Sequence, residues 1–425
     1  MSKIKTIYIP EWTILKADQI KDEYGKINLK IEDYNLINKL EAERKIKVKQ
    51  LSHGIEIETY SYVGIIRFSN FQVIISPKIK DIYLAKMISF SYNLGIDDIN
   101  YYDSISKLET RKNAVTDLIA LLYLGEVEQI FLKGLARRYK QKEESLSTCR
   151  GKIVFNDLAK RSNAGLTLPC RYRDLTIDIA ENRLIYSTLQ ILKNQINSRD
   201  ILRNINIFIE KLSNKVTYKP LNKSLFKKVN KESNRLTKHY EKVIKLSLLI
   251  YENHDFSLSS GSLGFSCFLI DMNKLFEKFL FRLFKTSFKD KFDISYQRKL
   301  TNCYLSSDNK KHNLIPDYQF FKDNELVGIA DAKYKDYSNK NISTGDLYQL
   351  TVYSVANKSN INNIILFYPT QRSQEIIEHS LKNYFSDRNI IITAVGVPLI
   401  SALKNIHEYQ SGFKKFIYNY WRGIL

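Results

Sequence analysis

Between Asn313 and Tyr353 the chain places acids, a lysine, a glutamine and a tyrosine at spacings that suit phosphodiester chemistry. Pro316-Asp317 comes first, then Asp331-Ala332-Lys333 at the end of an apolar run, then Gln349 and Tyr353. Cutting a phosphodiester needs a water made nucleophilic and a transition state whose added negative charge is neutralised. Divalent metals held by carboxylates do both. Magnesium takes oxygen ligands and keeps several waters, and manganese suits the same donors. Asp317 is expected in one strand and Asp331 near the end of the next, so paired strands bring both carboxylates to one metal. Lys333, two residues from Asp331, shares its strand face and is placed to orient water and counter charge. Ala332 offers its backbone carbonyl as a further ligand. Gln349 and Tyr353 are four apart on the next helix and share a face, either beside the metal or under a DNA backbone. Glu277, in the helix DMNKLFEKFL, is a candidate third carboxylate. A lone D-x-K arises often by chance; Asp317 then reads as a turn acid and Lys333 as a surface lysine. The whole set in this element order is far more specific.

The elements that must carry these residues can be read in order. Residues 1–110 read mainly as strands: Ile4–Pro10, the alternating Gly54–Tyr60, and a hairpin of Tyr62–Phe68 and Phe71–Ile75 around Ser69-Asn70. Ser76-Pro77-Lys78 ends the second arm, and Ala17–Glu43 reads as helix plus loop. This β-rich N-terminal domain holds no catalytic constellation. A helical middle region follows over 111–256. Its helices are predicted at Asn113–Tyr139, Ile179–Ile196, Ile201–Leu212 and Leu236–Tyr251. Arg137, Arg138, Lys140 and Lys142 gather where the first of these ends, either complementing its dipole or contacting phosphate. Arg150-Gly151-Lys152-Ile153 begins a connecting segment. Tyr218–Lys238 is strongly basic, with Lys219, Lys223, Lys227, Lys228, Lys231, Arg235 and Lys238 against Glu232. It reads equally as a solvated face and as a phosphate-tracking surface. Ser257–Gly264 is a Ser/Gly linker. Over 265–425 the expected elements are a helix at Phe268–Phe288, strands at Phe292–Leu300, Asn313–Phe321 and Glu325–Tyr334, and a helix at Thr344–Asn357. A strand at Ile361–Tyr368, a helix at Gln374–Phe385, a strand at Asn389–Val397 and a helical tail complete the series. The fold class is therefore multidomain α+β, with a C-terminal α/β domain built on a mixed sheet.

Composition sets the partners. The 425 residues carry a formal net charge of +21, which draws the chain toward a polyanion, nucleic acid first. A generally lysine-rich proteome would give the same sign. The four cysteines show no C-x-x-C spacing and the six histidines no i,i+4 pairing, which argues against a zinc site. The N-terminus has no continuous apolar core of a signal peptide, and no run approaches a membrane span. A cytoplasmic protein is expected. There is no G-x-x-x-x-G-K-[ST] loop, so no nucleotide bound by a Walker motif is expected in this chain. No cysteine follows Tyr353, which speaks against an iron–sulfur cluster there.

Asp317, Asp331-Ala332-Lys333 and the Q-x-x-x-Y pair Gln349/Tyr353 resemble the PD-(D/E)XK nuclease superfamily, in its RecB-like branch. Asp271-Met272-Asn273 with Phe276-Glu277 is similar to the McrC family, the nuclease subunits of McrBC-type modification-dependent restriction systems. Tyr62-Val63-Gly64-Ile65-Ile66, Ser76-Pro77-Lys78-Ile79, Arg150-Gly151-Lys152 and Glu181-Asn182-Arg183 look like the N-terminal and middle segments of that family. The resemblance implies a PD-(D/E)XK endonuclease domain at 265–425 and a partner-docking domain at 1–110. It also implies a ring-forming AAA+ GTPase as partner and cleavage of modified double-stranded DNA only in that complex. Asp317, Asp331 and Lys333 carry over as catalytic, with Glu277, Gln349 and Tyr353 in support; Asp317, Asp331, Ala332 and Glu277 carry over as the metal set. Two rival functions stay open at this point: a stand-alone repair or defence nuclease, and a basic non-catalytic adaptor between DNA and a motor.

Overall fold

The computed structural model describes residues 4–95, 115–159, 167–196, 198–256, 266–305, 311–335, 337, 342–357, 359, 361, 363–371, 375–381 and 389–421. The predicted linker Ser257–Gly264 lies outside them. The chain forms two compact units: Met1–Val115 with Phe256–Leu425, and Thr116–Asp255.

The first unit opens with β1 (Lys5–Pro10) and β2 (Ile14–Leu15), then helices Ala17–Tyr24 and Ile31–Ala42. Next come β3 (Ile46–Leu51), β4 (Gly54–Thr59), β5 (Tyr62–Arg67) and β6 (Phe71–Ser76). The Ser69-Asn70 hairpin forms as expected, with β5 and β6 antiparallel. The expectation for 1–110 names no helix after this hairpin, yet Asp81–Ser91 is one.

In the second unit helix Val115–Lys133 stops short of the expected Tyr139, at Gly134, whose φ of +88° favours glycine. Arg138, Lys140 and Lys142 are therefore not helix-end cations; they lie on β7 (Arg138–Leu146). β8 (Lys152–Ile153) and β9 (Leu168–Thr176) complete a three-stranded sheet inside the region expected to be helical. The ribbon is charged on both faces, so it lacks the apolar alternation that marks a strand. Cross-strand pairs hold it: Arg171 with Glu143, and the Tyr172 hydroxyl donating to Glu144 Oε2 at 2.6 Å. Gly151 lets the backbone cross β9, where a Cβ would lie 2.4 Å from the Arg171 carbonyl.

Glu181-Asn182-Arg183 proves to be the hub of this unit. Glu181 binds Arg138, and Asn182 donates to the Ala136 and Ile177 carbonyls. Arg183 clamps Asp178, which also accepts from Thr217 N–H and hydroxyl at 3.1 and 3.0 Å. The Arg183 bonds hold the Asp178 carboxyl well below the usual carboxylate range. A depressed carboxylate contributes stability above its unfolded pKa and loses it as pH falls through the folded value. We expect Asp178→Ala to cost about 1–3 kcal/mol at neutral pH, read from urea unfolding, with the gap to wild type closing below about pH 4.

The chain leaves this unit through β10 (His254–Phe256) and returns to the first as β11 (Ser266–Asp271). The expected helix from Phe268 begins only at Met272, because Phe268–Asp271 belong to this strand. β11 pairs antiparallel with β5, Leu269 opposite Gly64, so the N- and C-terminal segments share a sheet in the order β1-β6-β5-β11. One core serves both: Ile7, Ile57, Phe71 and Val73 pack with Cys267 and Leu269.

Helix Met272–Ser287 leads to β12 (Asp293–Tyr296), β13 (Leu300–Leu305), β14 (Lys311–Leu314), β15 (Tyr318–Lys322) and β16 (Glu325–Ala332). Helix Thr344–Ala356, β17 (Asn363–Thr370), β18 (Ile376–Leu381), β19 (Ile390–Pro398) and helices Leu399–Lys404 and Ile406–Trp421 follow. The main sheet is mixed, in the order β12-β15-β16-β17-β19-β18, with β16, β17 and β19 parallel. β17 is apolar on both faces because both are covered. Phe367 meets Phe284 and Phe413 of two helices, while Ile364 and Leu366 pack with Leu350 and Tyr353 of a third. Three expectations fail here. The strand expected over Phe292–Leu300 is parted into β12 and β13 at Gln297, whose φ is +50°. The helix expected over Gln374–Phe385 is an edge strand at Ile376–Leu381, alternating exposed and half-buried beside β19; six residues are too few for periodicity to separate the two. The strand expected over Asn313–Phe321 is broken at Ile315-Pro316-Asp317, where proline removes a ladder donor. Among the described residues no helix is long and apolar enough to cross a membrane.

Candidate active site

The break at Pro316 sets Asp317 one step beyond β15, where the register that pairs Tyr318 with Ala330 brings it opposite Asp331. Two backbone bonds fix it: Ala332 N–H donates to Asp317 Oδ2 at 2.8 Å, and Gln297 N–H donates to the Asp317 carbonyl at 2.9 Å. Asp331 is 1% exposed near the C-terminal end of β16. Lys333 N–H extends the ladder to the Phe367 carbonyl at 2.9 Å, and its ammonium lies 2.7 Å from Asp331 Oδ2. Asp331 and Lys333 follow Ile329 on the face that packs toward helix Thr344–Ala356.

Glu277 joins from the second turn of helix Met272–Ser287. Asp271 caps that helix, accepting from Asn273 N–H at 3.0 Å. The cap is tied to the N-terminal segment: Tyr62 donates to Asp271 Oδ2 at 3.3 Å, and Asn273 donates to Ser61 Oγ at 2.5 Å. Glu277 Oε2 accepts from the Tyr296 hydroxyl at 2.9 Å and Gln297 Nε2 at 3.0 Å, while the Tyr318 hydroxyl donates to the Glu277 carbonyl at 2.8 Å.

The three acids feel one another. Burial pushes the Asp317 carboxyl up to about 9, with the Asp331 and Glu277 charges adding to it. Glu277 is likewise raised, by burial first and then, against its Tyr296 bond, by Asp331 and Asp271. Burial works against the Lys333 ammonium, yet the Asp331 and Asp317 carboxylates hold its pKa above the ordinary lysine value. One lysine stands beside one buried and two half-buried acids, Asp331, Asp317 and Glu277, so full ionisation of all three calls for further positive charge.

The chemistry of the donors decides which cation suits it. Among the described residues no group of three or more His, Cys, Asp and Glu side chains is set to hold a metal by itself. Two carboxylates and a backbone carbonyl, all hard oxygens, are what magnesium accepts when water and substrate phosphate complete its shell. Asp317, Asp331 and the Ala332 carbonyl fit that role. Glu277, with one oxygen engaged by Tyr296 and Gln297, supports the cluster.

Gln349 and Tyr353 have a definite task. Gln349 Nε2 donates to the Tyr353 hydroxyl at 2.7 Å, which donates to the Ile315 carbonyl at 3.1 Å. The pair thus pins the turn that presents Asp317. Burial and the Asp331 charge raise the Tyr353 pKa, which keeps the hydroxyl a donor. Further along, Asp346 accepts from Tyr337 and Ser343 and from Lys335 at 3.2 Å, anchoring the segment after Lys333 to the next helix. Sequence reading missed Tyr296, Gln297 and this anchor. Ser343 and Asp346 did carry a signal, as N-cap and third residue of a helix; Tyr296 and Gln297 carried none.

A protein-family model described as "McrBC 5-methylcytosine restriction system component" matches residues 57–369, most of the chain. No curated protein matches it in sequence. Among solved structures the chain is similar to one in a refined half-complex from a tetradecameric assembly of Thermococcus gammatolerans McrB AAA+ hexamers with bound McrC. The TM-score is 0.65 at 19% identity, over 98% of this chain and 100% of that one. A chain of the Thermococcus gammatolerans McrBC complex matches with a TM-score of 0.47 at 18% identity, over 67% of this chain and 88% of that one.

Proposed function

The chain belongs to the family of McrBC 5-methylcytosine restriction system components, and from that premise we propose that it is the DNA-cutting subunit of such a system. In this reading residues 265–425 form a PD-(D/E)XK endonuclease domain that hydrolyses phosphodiesters of modified double-stranded DNA. The observation that carries it is the crowding of Asp317, Asp331 and Glu277 about Lys333 at the C-terminal end of β16, the end of a parallel strand where α/β sheets bind ligands. Magnesium or manganese held by Asp317, Asp331 and the Ala332 carbonyl would activate water and neutralise phosphate charge. Lys333, kept charged by its carboxylates, orients the attacking water and meets the phosphate. Glu277 holds negative charge beside them, and the Gln349–Tyr353 pair keeps Asp317 in place. The partner in this reading is an AAA+ GTPase ring, supported by the fold shared with a chain of an assembly of McrB AAA+ hexamers with bound McrC.

The test is cleavage of methylated DNA by the purified chain with a ring partner, GTP and magnesium. Cutting only in that mixture is expected. Cutting by the chain alone would make it a stand-alone nuclease, and no cutting with any partner a DNA–motor adaptor.

DNA needs a cationic track, and helix Lys223–Glu232 supplies one. Leu225, Phe226 and Val229 bury one side, and Lys223, Lys227 and Lys231 are exposed on the other. Lys228 pairs with Glu232 at 3.7 Å; among the described residues no ion pair involves the other three. Four helical residues rise about 6 Å, close to two phosphate steps of about 3.4 Å along one strand. Replacing the three lysines by alanine is expected to lower the slope of log K against log salt by about 2–3, measured by DNA titration across a salt series. An unchanged slope would return this face to solvent.

A further inference from the structure

We propose that Glu11, in the turn after β1, is a positioning residue for Lys333; the inference rests on the nuclease reading of that site. Glu11 is 0% exposed, unusual for a carboxylate unless it is bonded. Its Oε1 accepts from Lys78 N–H at 2.8 Å and from the Tyr334 hydroxyl at 3.1 Å. Tyr334 is 5% exposed and directly follows Lys333. Adjacent residues on an extended chain point to opposite sides, so Lys333 faces the carboxylates while Tyr334 is anchored behind them. The Tyr334 ring also packs on Phe276, centroids 6.0 Å apart, and Phe276 directly precedes Glu277. Two residues of the acidic cluster thus have neighbours held on one post, and the post ends on the N-terminal sheet. The Glu11 N–H donates to the Ser76 carbonyl at 2.9 Å, so the Ser76-Pro77-Lys78 turn closes a loop of bonds around it. Without that anchor the residue after Lys333 loses its hydrogen bond behind the sheet, and the lysine is held by its own N–H bond to Phe367, its pairing with Asp331 and the Asp346 contacts further along. The N-terminal segment then does more than dock a partner: it sets the geometry of the cutting residue.

The variants are chosen to separate anchoring from bulk. Tyr334→Phe removes one hydroxyl and keeps the ring on Phe276. Glu11→Gln keeps an acceptor oxygen for both donors, and Glu11→Ala removes it. Each full chain is assayed with the ring partner, GTP and magnesium, and amide hydrogen exchange over residues 330–335 is followed without metal. Tyr334→Phe and Glu11→Ala are expected to lower kcat about tenfold with KM for DNA unchanged, and to speed exchange at the Lys333 amide. Glu11→Gln should stay within twofold of wild type in both, and the double variant Glu11→Ala/Tyr334→Phe should lose no more than Glu11→Ala. Wild-type cutting by Tyr334→Phe, or equal losses for Glu11→Gln and Glu11→Ala, would overturn the proposal. Faster exchange in a wild-type background that never cuts would sink the nuclease reading and leave the anchor standing. Unchanged exchange beside normal wild-type cutting would sink the anchor alone.

Discussion

Asp331→Asn is expected to give a folded chain whose DNA cutting falls about a thousandfold or more, equivalent to about 4 kcal/mol of transition-state stabilisation. Asparagine matches the shape of aspartate, so packing at this 1% exposed position is kept. The charge is lost, and with it one of the two carboxylates proposed to hold the metal. Stability should move the other way. Burial first, and then the Asp331 and Glu277 charges, push the half-buried Asp317 carboxyl up to about 9, so removing one charge should hold or raise the unfolding midpoint. Lys333→Ala should also abolish cutting, but by leaving Asp331 buried without its ammonium at 2.7 Å it should lower the midpoint. Opposite stability shifts with a shared loss of cutting mark a site built for function at a cost in stability. Normal cutting by either variant, with partner and magnesium, would remove these residues from the mechanism.

The residues of this cluster were legible in the sequence because they depend on local order. The apolar run that becomes β16 ends in Asp331-Ala332-Lys333, and the next helix carries Gln349 and Tyr353 on one face; spacing alone aligns them. The β5–β6 hairpin was legible for the same reason, being two alternating runs around a polar turn. What stayed hidden depends on partners distant in the chain. Phe268–Asp271 reads as the first turn of a helix, since its apolar residues run straight into Met272–Ser287; only pairing with β5, some two hundred residues earlier, makes it a strand. β7 and β9 are held by charge pairs across a ribbon with little apolar face, so no periodicity announces them. Glu11 looks like any surface glutamate until Lys78 and Tyr334 close on it. The basic run at Tyr218–Lys238 was visible as charge, yet only the helix Lys223–Glu232 sorts its lysines into one paired with Glu232 and three that, among the described residues, make no ion pair.

The β5–β11 junction carries the second large effect, and Gly64 is where it is most exposed to test. Gly64 has φ +145°, a conformation nearly restricted to glycine, and a Cβ there would lie 1.9 Å from the Phe268 carbonyl oxygen. Backbone blocks that space, so neither rotamer change nor side-chain repacking relieves the clash. Forcing alanine into this conformation costs about 1–3 kcal/mol, and overpacking against a strand adds about 1–3 kcal/mol more. Gly64→Ala is therefore expected to lose about 2–6 kcal/mol, a large part of the roughly 5–15 kcal/mol that holds most proteins folded. Its matched control is Gly412→Ala, on helix Ile406–Trp421, where a Cβ meets nothing within 4 Å and alanine should gain up to about 1 kcal/mol. Urea unfolding of both variants against wild type decides the matter, and a Gly64→Ala loss no larger than about 0.5 kcal/mol would show that the strands do not meet there. Activity should follow stability at this one position. β11 ends at Asp271, which caps the helix bearing Glu277 and accepts from Tyr62 of β5. A β5 pushed off β11 releases that bond, tilts the cap, and moves Glu277 away from Asp317 and Asp331. Under conditions where the Gly64→Ala chain is still folded, its cutting rate should therefore fall while the lysine face of the other unit binds DNA with an unchanged salt slope.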